Sequence, residues 1–189
     1  LEHLPISNYA LDDAFVKKCK NIENIILAWA LGSYEYTRYK VSAKKFPFLI
    51  MPKLGEKREK VLLSTIKANY HIRDWIDTPA EDYGPEELVQ SCRAMAEKFK
   101  AGLNIINTED LIKENYPVVH AVGRAGDRGS FVINMSWGSN NYPTVVLVGK
   151  GICFDTGGLQ VKPHQAMYSM KKDMGGAAHM MALAQMIME

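Results

Sequence analysis

Four charged side chains, Lys150, Asp155, Lys162 and Asp173, sit among apolar residues and glycine turns between Val145 and Ala178 of this 189-residue chain. Residues 145 to 163 read Val-Val-Leu-Val-Gly-Lys-Gly-Ile-Cys-Phe-Asp-Thr-Gly-Gly-Leu-Gln-Val-Lys-Pro, and Asp-Met-Gly-Gly-Ala-Ala follows from residue 173. Charges in such surroundings are costly to bury unless they pair with each other or hold a metal. The run therefore reads as a site.

The rest of the composition narrows the class. With 47% hydrophobic residues the chain can build a sizeable core. Its 23 basic and 21 acidic residues nearly cancel, so charge gives no case for nucleic acid or an anionic membrane as partner. Cys19, Cys92 and Cys153 are odd in number and widely spaced, which fits a reducing compartment better than a disulfide framework. No apolar stretch reaches the roughly 18 to 20 residues that cross a bilayer, and the first residues do not resemble a secretion signal. The expectation is a cytoplasmic protein without a membrane partner.

Periodicity predicts an α/β architecture. Ile22, Ile25, Ile26 and Trp29 share a helical face, giving a helix over about 21–39 after a shorter one near 11–20. A strand is expected over 46–51, and the breaker-containing segment from Pro52 suggests a domain joint. A helix over about 56–77 ends at Thr78-Pro79, because proline pushes the preceding residue out of the helical region. Gly84-Pro85-Glu86-Glu87 starts another, expected to run to about Lys100. Strands at 103–107, 131–137 and 144–149, a short helix at 109–115 and a buried helix over 174–189 complete the reading. The expected fold is a mixed sheet flanked by helices, divided into residues 1–52 and 53–189. The apolar final helix has no closing cap or polar tail, so the chain is expected to be a fragment of a longer one, or to be covered by another polypeptide.

Each charged residue permits chemistry and has a plainer reading. Lys150, at the end of an expected central strand, would be poorly solvated, and as a neutral amine it could ligate a cation; otherwise it pairs with a carboxylate. Asp155 could bridge two metals roughly 3.5–4 Å apart, or simply shape an Asp-Thr-Gly-Gly turn. Lys162 could stabilise charge on a carbonyl oxygen under attack, or be an exposed lysine before Pro163. Asp173 could ligate or merely cap the last helix. Gly175 and Gly176 cost that helix roughly 1 kcal/mol each against alanine, which suggests that something approaches the backbone closely there. The five histidines are scattered, no His-Glu-x-x-His occurs, and Gly149-Lys150-Gly151 lacks phosphate-loop spacing.

As a set these residues resemble the signature of the leucyl aminopeptidase family, two-metal cytosolic exopeptidases. Val-Gly-Lys150-Gly-Ile-Cys-Phe-Asp155-Thr-Gly-Gly-Leu-Gln-Val-Lys162-Pro and Met170-Lys-Lys-Asp173-Met-Gly-Gly-Ala-Ala carry the resemblance. Upstream, Trp29 to Tyr39 resembles the family's interdomain region, while Asp77-Thr-Pro-Ala and Gly84-Pro-Glu-Glu-Leu resemble the start of its catalytic domain. The resemblance implies Lys150, Asp155 and Asp173 as metal ligands with Asp155 bridging, Lys162 as the catalytic lysine, and Met170 lining the pocket for the substrate's first side chain. It implies two divalent ions, Zn²⁺, Mn²⁺ or Mg²⁺, peptide substrates with apolar N-terminal residues such as leucine, and a homo-oligomer, the hexamer.

The family's second motif, Asn-Thr-Asp-Ala-Glu-Gly-Arg, does not occur in these residues. The expectation is therefore one half of a site, inactive and poorly metallated when alone. Two other readings stand beside it: a non-catalytic binding or assembly protein on the same fold, and a phosphate- or nucleotide-binding α/β domain using the Gly149 to Gly158 loop.

Overall fold

A computed structural model describes residues 1, 3–41 and 44–189. The architecture is α/β, with small sheets flanked by helices, and it separates into two compact units, Leu1–Asp74 and Trp75–Glu189. No helix among the described residues is long and apolar enough to cross a membrane.

In the first unit, strand β1 (Asn8–Ala10) pairs in parallel with β2 (Phe48–Ile50). Helix α1 (Asp13–Lys18) is capped by the Asp12 carboxylate, which accepts from the Phe15 N–H. The core gathers around α2 (Ile22–Gly32) and α3 (Glu56–Asp77): Ile22, Ile26, Leu54 and Leu62 are buried together. Helix α2 ends seven residues before its expected limit. There the Ser33 hydroxyl and amide both turn back to the Trp29 carbonyl, at 2.9 and 3.0 Å. The aromatic run that follows docks instead of coiling: the Tyr34 hydroxyl donates to Asp74 at 2.7 Å, and its ring packs against Tyr70 and the Arg73 guanidinium. Tertiary contacts have overridden weak helix propensity.

The second unit is organised by α4 (Pro85–Phe99). Its buried Leu88, Val89, Cys92, Met95 and Ala96 recur at helical spacing and face an antiparallel pair, β3 (Gly102–Ile106) and β4 (Val132–Ser136). Each larger apolar side chain buried this way stabilises the fold by about 1.5–3 kcal/mol. The start of α4 is tied down twice. The Glu87 carboxylate accepts from the Gly84 N–H at 2.8 Å, and Arg128 pairs with Glu87 while donating to the Ala80 and Glu81 carbonyls at 3.1 and 2.9 Å. Burial works against the Glu87 charge, yet the Gly84 amide and Arg128 outweigh it and hold the carboxyl below the usual range. Lys100, in a left-handed conformation (φ 53°), stops the helix.

Two expectations for this unit are corrected. Residues 109–115 form turns, with Leu111 fully buried and Asn115 left-handed at φ 63°. The helix is α5 (Pro117–Gly123), begun by Pro117 at its first position. Residues 144–149 are in no ladder: a strand needs a hydrogen-bonded neighbour, and the described residues form only the two pairs above. Val145, Val146 and Val148 are consequently about four-fifths exposed. The chain ends in a short helix α6 (His164–Met167), a 3-10 turn (Met170–Met174) and α7 (Gly175–Met188), which packs on α4.

Candidate metal centre

Four segments of the second unit deliver the predicted charges: the extended end at Lys150, the turn at Asp155, the segment before Pro163, and the 3-10 turn. They arrive as two ion pairs. Lys150 Nζ is 2.6 Å from Asp173 Oδ2, and Lys162 Nζ is 2.6 Å from Asp155 Oδ2. The pairs are linked, because Lys162 Nζ also lies 3.4 Å from Met170 Sδ on the turn that carries Asp173.

Backbone geometry fixes the first pair. Gly149 and Gly176 lie so close that a Cβ on Gly149 would stand 2.6 Å from the Gly176 carbonyl oxygen, and one on Gly176 would stand 2.9 Å from the Lys150 nitrogen. The Ala177 N–H donates to the Lys150 carbonyl at 2.8 Å, joining the extended segment to the first turn of α7. The expected close approach at Gly175-Gly176 is therefore made by the chain itself. Asp173 does not cap α7 from the N-cap position; Met174 stands there, and the Asp173 carboxylate is turned to Lys150.

The second pair is fixed by a turn. Gly157 adopts φ 94°, which lets its N–H donate to Asp155 Oδ1 at 2.8 Å, while the Lys162 N–H donates to the Thr156 carbonyl at 2.7 Å. The Lys162 ammonium, then the Gly157 N–H, hold the Asp155 carboxyl below the usual carboxylate range, and Lys150 adds a weaker Coulombic pull. Lys150 thus lies near enough to act on the other pair.

One expectation fails on solvation. The Lys150 side chain is 51% exposed and Asp155 38%, against 28% for Lys162 and 18% for Asp173. Water reaches the Lys150 ammonium because no neighbouring strand covers residues 144–149. Sequence reasoning also passed over Lys171, whose ammonium donates to the Asp77 carbonyl at 2.6 Å. A backbone acceptor leaves no mark on the residue pattern.

The residue pattern extends well beyond this cluster. The catalytic domain of the cytosol aminopeptidase family matches residues 70–189, and the N-terminal domain of the M17 aminopeptidases matches residues 1–52. The chain belongs to the cytosol aminopeptidase family. Peptidase B of Enterobacter sp. (strain 638) is 40% identical over 134 residues, covering 66% of this chain and 31% of its own length. The crystal structure of the cytosol aminopeptidase from Coxiella burnetii superposes with a TM-score of 0.90 at 41% identity, covering 99% of this chain and 40% of that one. The bottromycin maturation enzyme BotP in complex with Mn gives a TM-score of 0.74 at 25% identity, covering 96% of this chain and 40% of that one. The chain spans about a third of the length of the curated relatives it matches.

Within the cytosol aminopeptidase fold, the donors can be tested against a metal. The carboxylates of Asp155 and Asp173 and the amine of Lys150 are the donors on offer, each carboxylate facing a lysine, and hard oxygen donors with one nitrogen suit Mn²⁺, Zn²⁺ or Mg²⁺. Among the described residues there is no group of three or more His, Cys, Asp or Glu that could hold an ion. The donor types are compatible with such an ion, while the described residues alone do not assemble a full set of ligands.

Proposed function

We propose that this chain is the part of a metal-dependent aminopeptidase that carries one half of the catalytic site. Lys150, Asp155 and Asp173 are the metal ligands, Lys162 the catalytic lysine, and Met170 lies against the substrate's N-terminal side chain. Residues 1–52 close the N-terminal domain and 53–189 open the catalytic one. The observation that carries the reading is that Lys150 pairs with Asp173 and Lys162 with Asp155, 2.6 Å each, with Lys162 also 3.4 Å from Met170 on the turn that carries Asp173, in a chain that belongs to this family.

Two divalent ions bound there would polarise a peptide carbonyl and supply an acidic bound water. The protein's part is positioning. Asp155 offers two oxygens at the head of a pinned turn, so its carboxylate can serve two neighbours at once. Lys150 would contribute a nitrogen donor to such an ion. Lys162, beside Asp155 and Met170, would donate to negative charge developing on the carbonyl oxygen. The thioether of Met170, beside that ammonium, offers an adaptable apolar wall to leucine-like residues. The same reading makes the whole protein a cytoplasmic homo-oligomer, a hexamer, acting on peptides.

With Mn²⁺ and a leucyl chromogenic substrate, the 189-residue chain alone is expected to give no turnover, and the same chain continued by the remaining part of the catalytic domain to hydrolyse it. Turnover by the 189 residues alone would overturn the half-site reading. No turnover by the continued chain would overturn the peptidase reading.

A further inference from the structure

In a 3-10 helix, side chains at i and i+3 eclipse. In the turn Met170–Met174 this places Met170 and Asp173 on one edge, Lys171 and Met174 on another. The first edge meets the ammonium groups of Lys162 and Lys150, at 3.4 and 2.6 Å. The second is the anchor. Met174 is 1% exposed, and Lys171 Nζ lies 2.6 Å from the Asp77 carbonyl oxygen but 3.9 Å from its carboxylate.

Asp77 is the last residue of α3, whose final turn contains no basic residue of its own. Terminal carbonyls of a helix lack intrahelical donors and carry the negative end of its dipole, so an ammonium from elsewhere in the chain satisfies that end. The junction with α7 lies against the same final turn, since a Cβ on Gly175 would be 3.4 Å from Ile76 Cδ1. The neighbouring Lys172 ammonium makes no hydrogen bond or ion pair among the described residues.

We propose that Lys171 is a positioning residue: by capping the end of α3 it fixes the rotation of the 3-10 turn, and so aims Asp173 at Lys150 and Met170 at Lys162. Its importance for catalysis rests on the reading of Asp173 and Met170 as site residues. The geometric claim does not.

The test observes the ion pair directly, in the 189-residue chain labelled with ¹⁵N-lysine, at low temperature and mildly acid pH. The Lys150 and Lys162 ammonium signals are assigned with Asp173→Asn and Asp155→Asn. Lys171→Met is expected to move the Lys150 signal towards its position in Asp173→Asn while the amide signals of α7 persist. Lys171→Arg should restore the original position, and Lys172→Met should leave it in place. A Lys150 signal that stays put in Lys171→Met, or moves equally in Lys172→Met, overturns the proposal. If Lys171→Met does not fold, Lys171→Gln replaces it under the same criteria. Because the readout is the pair itself, it holds whether or not the protein hydrolyses peptides.

Discussion

Lys150 and Asp173, 23 positions apart in sequence, form a 2.6 Å ion pair across the junction of an extended segment and a 3-10 turn. Half of the lysine side chain is exposed, so water screens the attraction and the pair adds less than about 1 kcal/mol to stability. Asp173→Asn should therefore shift the urea midpoint only slightly while, on the proposed assignment, removing a metal ligand from the longer protein. A loss of several kcal/mol in the isolated chain would make Asp173 a structural residue instead.

Gly149 predicts a much larger effect. Alanine there places its Cβ 2.6 Å from the Gly176 carbonyl oxygen and 2.7 Å from the Ala177 Cα, and backbone cannot swing aside as a side-chain tip can. Gly149→Ala should cost on the order of 2 kcal/mol or more in urea denaturation and lengthen the Lys150–Asp173 contact. An alanine variant as stable as the original would show that the extended segment is not held against α7.

The buried thiols predict alkaline sensitivity. Cys92 and Cys153 are 4% and 6% exposed, and burial pushes each thiol from an ordinary 9.0 up to about 11. Burial pushes the Tyr83 hydroxyl up as well. The unfolded chain ionises these groups first, so their stabilisation is complete below about pH 9 and is lost as pH rises to about 11. Each thiol contributes about 2–3 kcal/mol to that loss. Urea midpoints between pH 7 and 11 should fall across this window, and a thiol reagent should label the half-buried Cys19 well before the other two. Flat midpoints, or three equal labelling rates, would contradict the burial argument.

Much of this was legible in particular residues. Thr78-Pro79 and Gly84-Pro85-Glu86-Glu87 mark the boundary between α3 and α4 because proline and first-turn acids act locally. β1 was not legible: three residues with no alternation become a strand only through a parallel partner forty residues away. The valines at 145–148 show the converse, since β propensity favours extension but pairing decides whether an extended segment is a strand. At the candidate site, Lys150, Asp155, Lys162 and Asp173 stood out because charges among apolar residues and glycines are costly unless paired, and the structure shows them paired. The exposure of Lys150 and the anchoring by Lys171 depend on tertiary neighbours and backbone acceptors that no residue pattern records.

The central claim is that these four residues are half of a two-metal site, and metal content tests it most directly. The chain is continued by the remaining part of the catalytic domain, loaded with Mn²⁺ and analysed for bound metal per subunit alongside Asp155→Asn. The account predicts two ions in the unsubstituted protein and, with the bridging carboxylate gone, fewer than two together with loss of leucyl-substrate hydrolysis. Equal metal content and equal hydrolysis in the two proteins would contradict it.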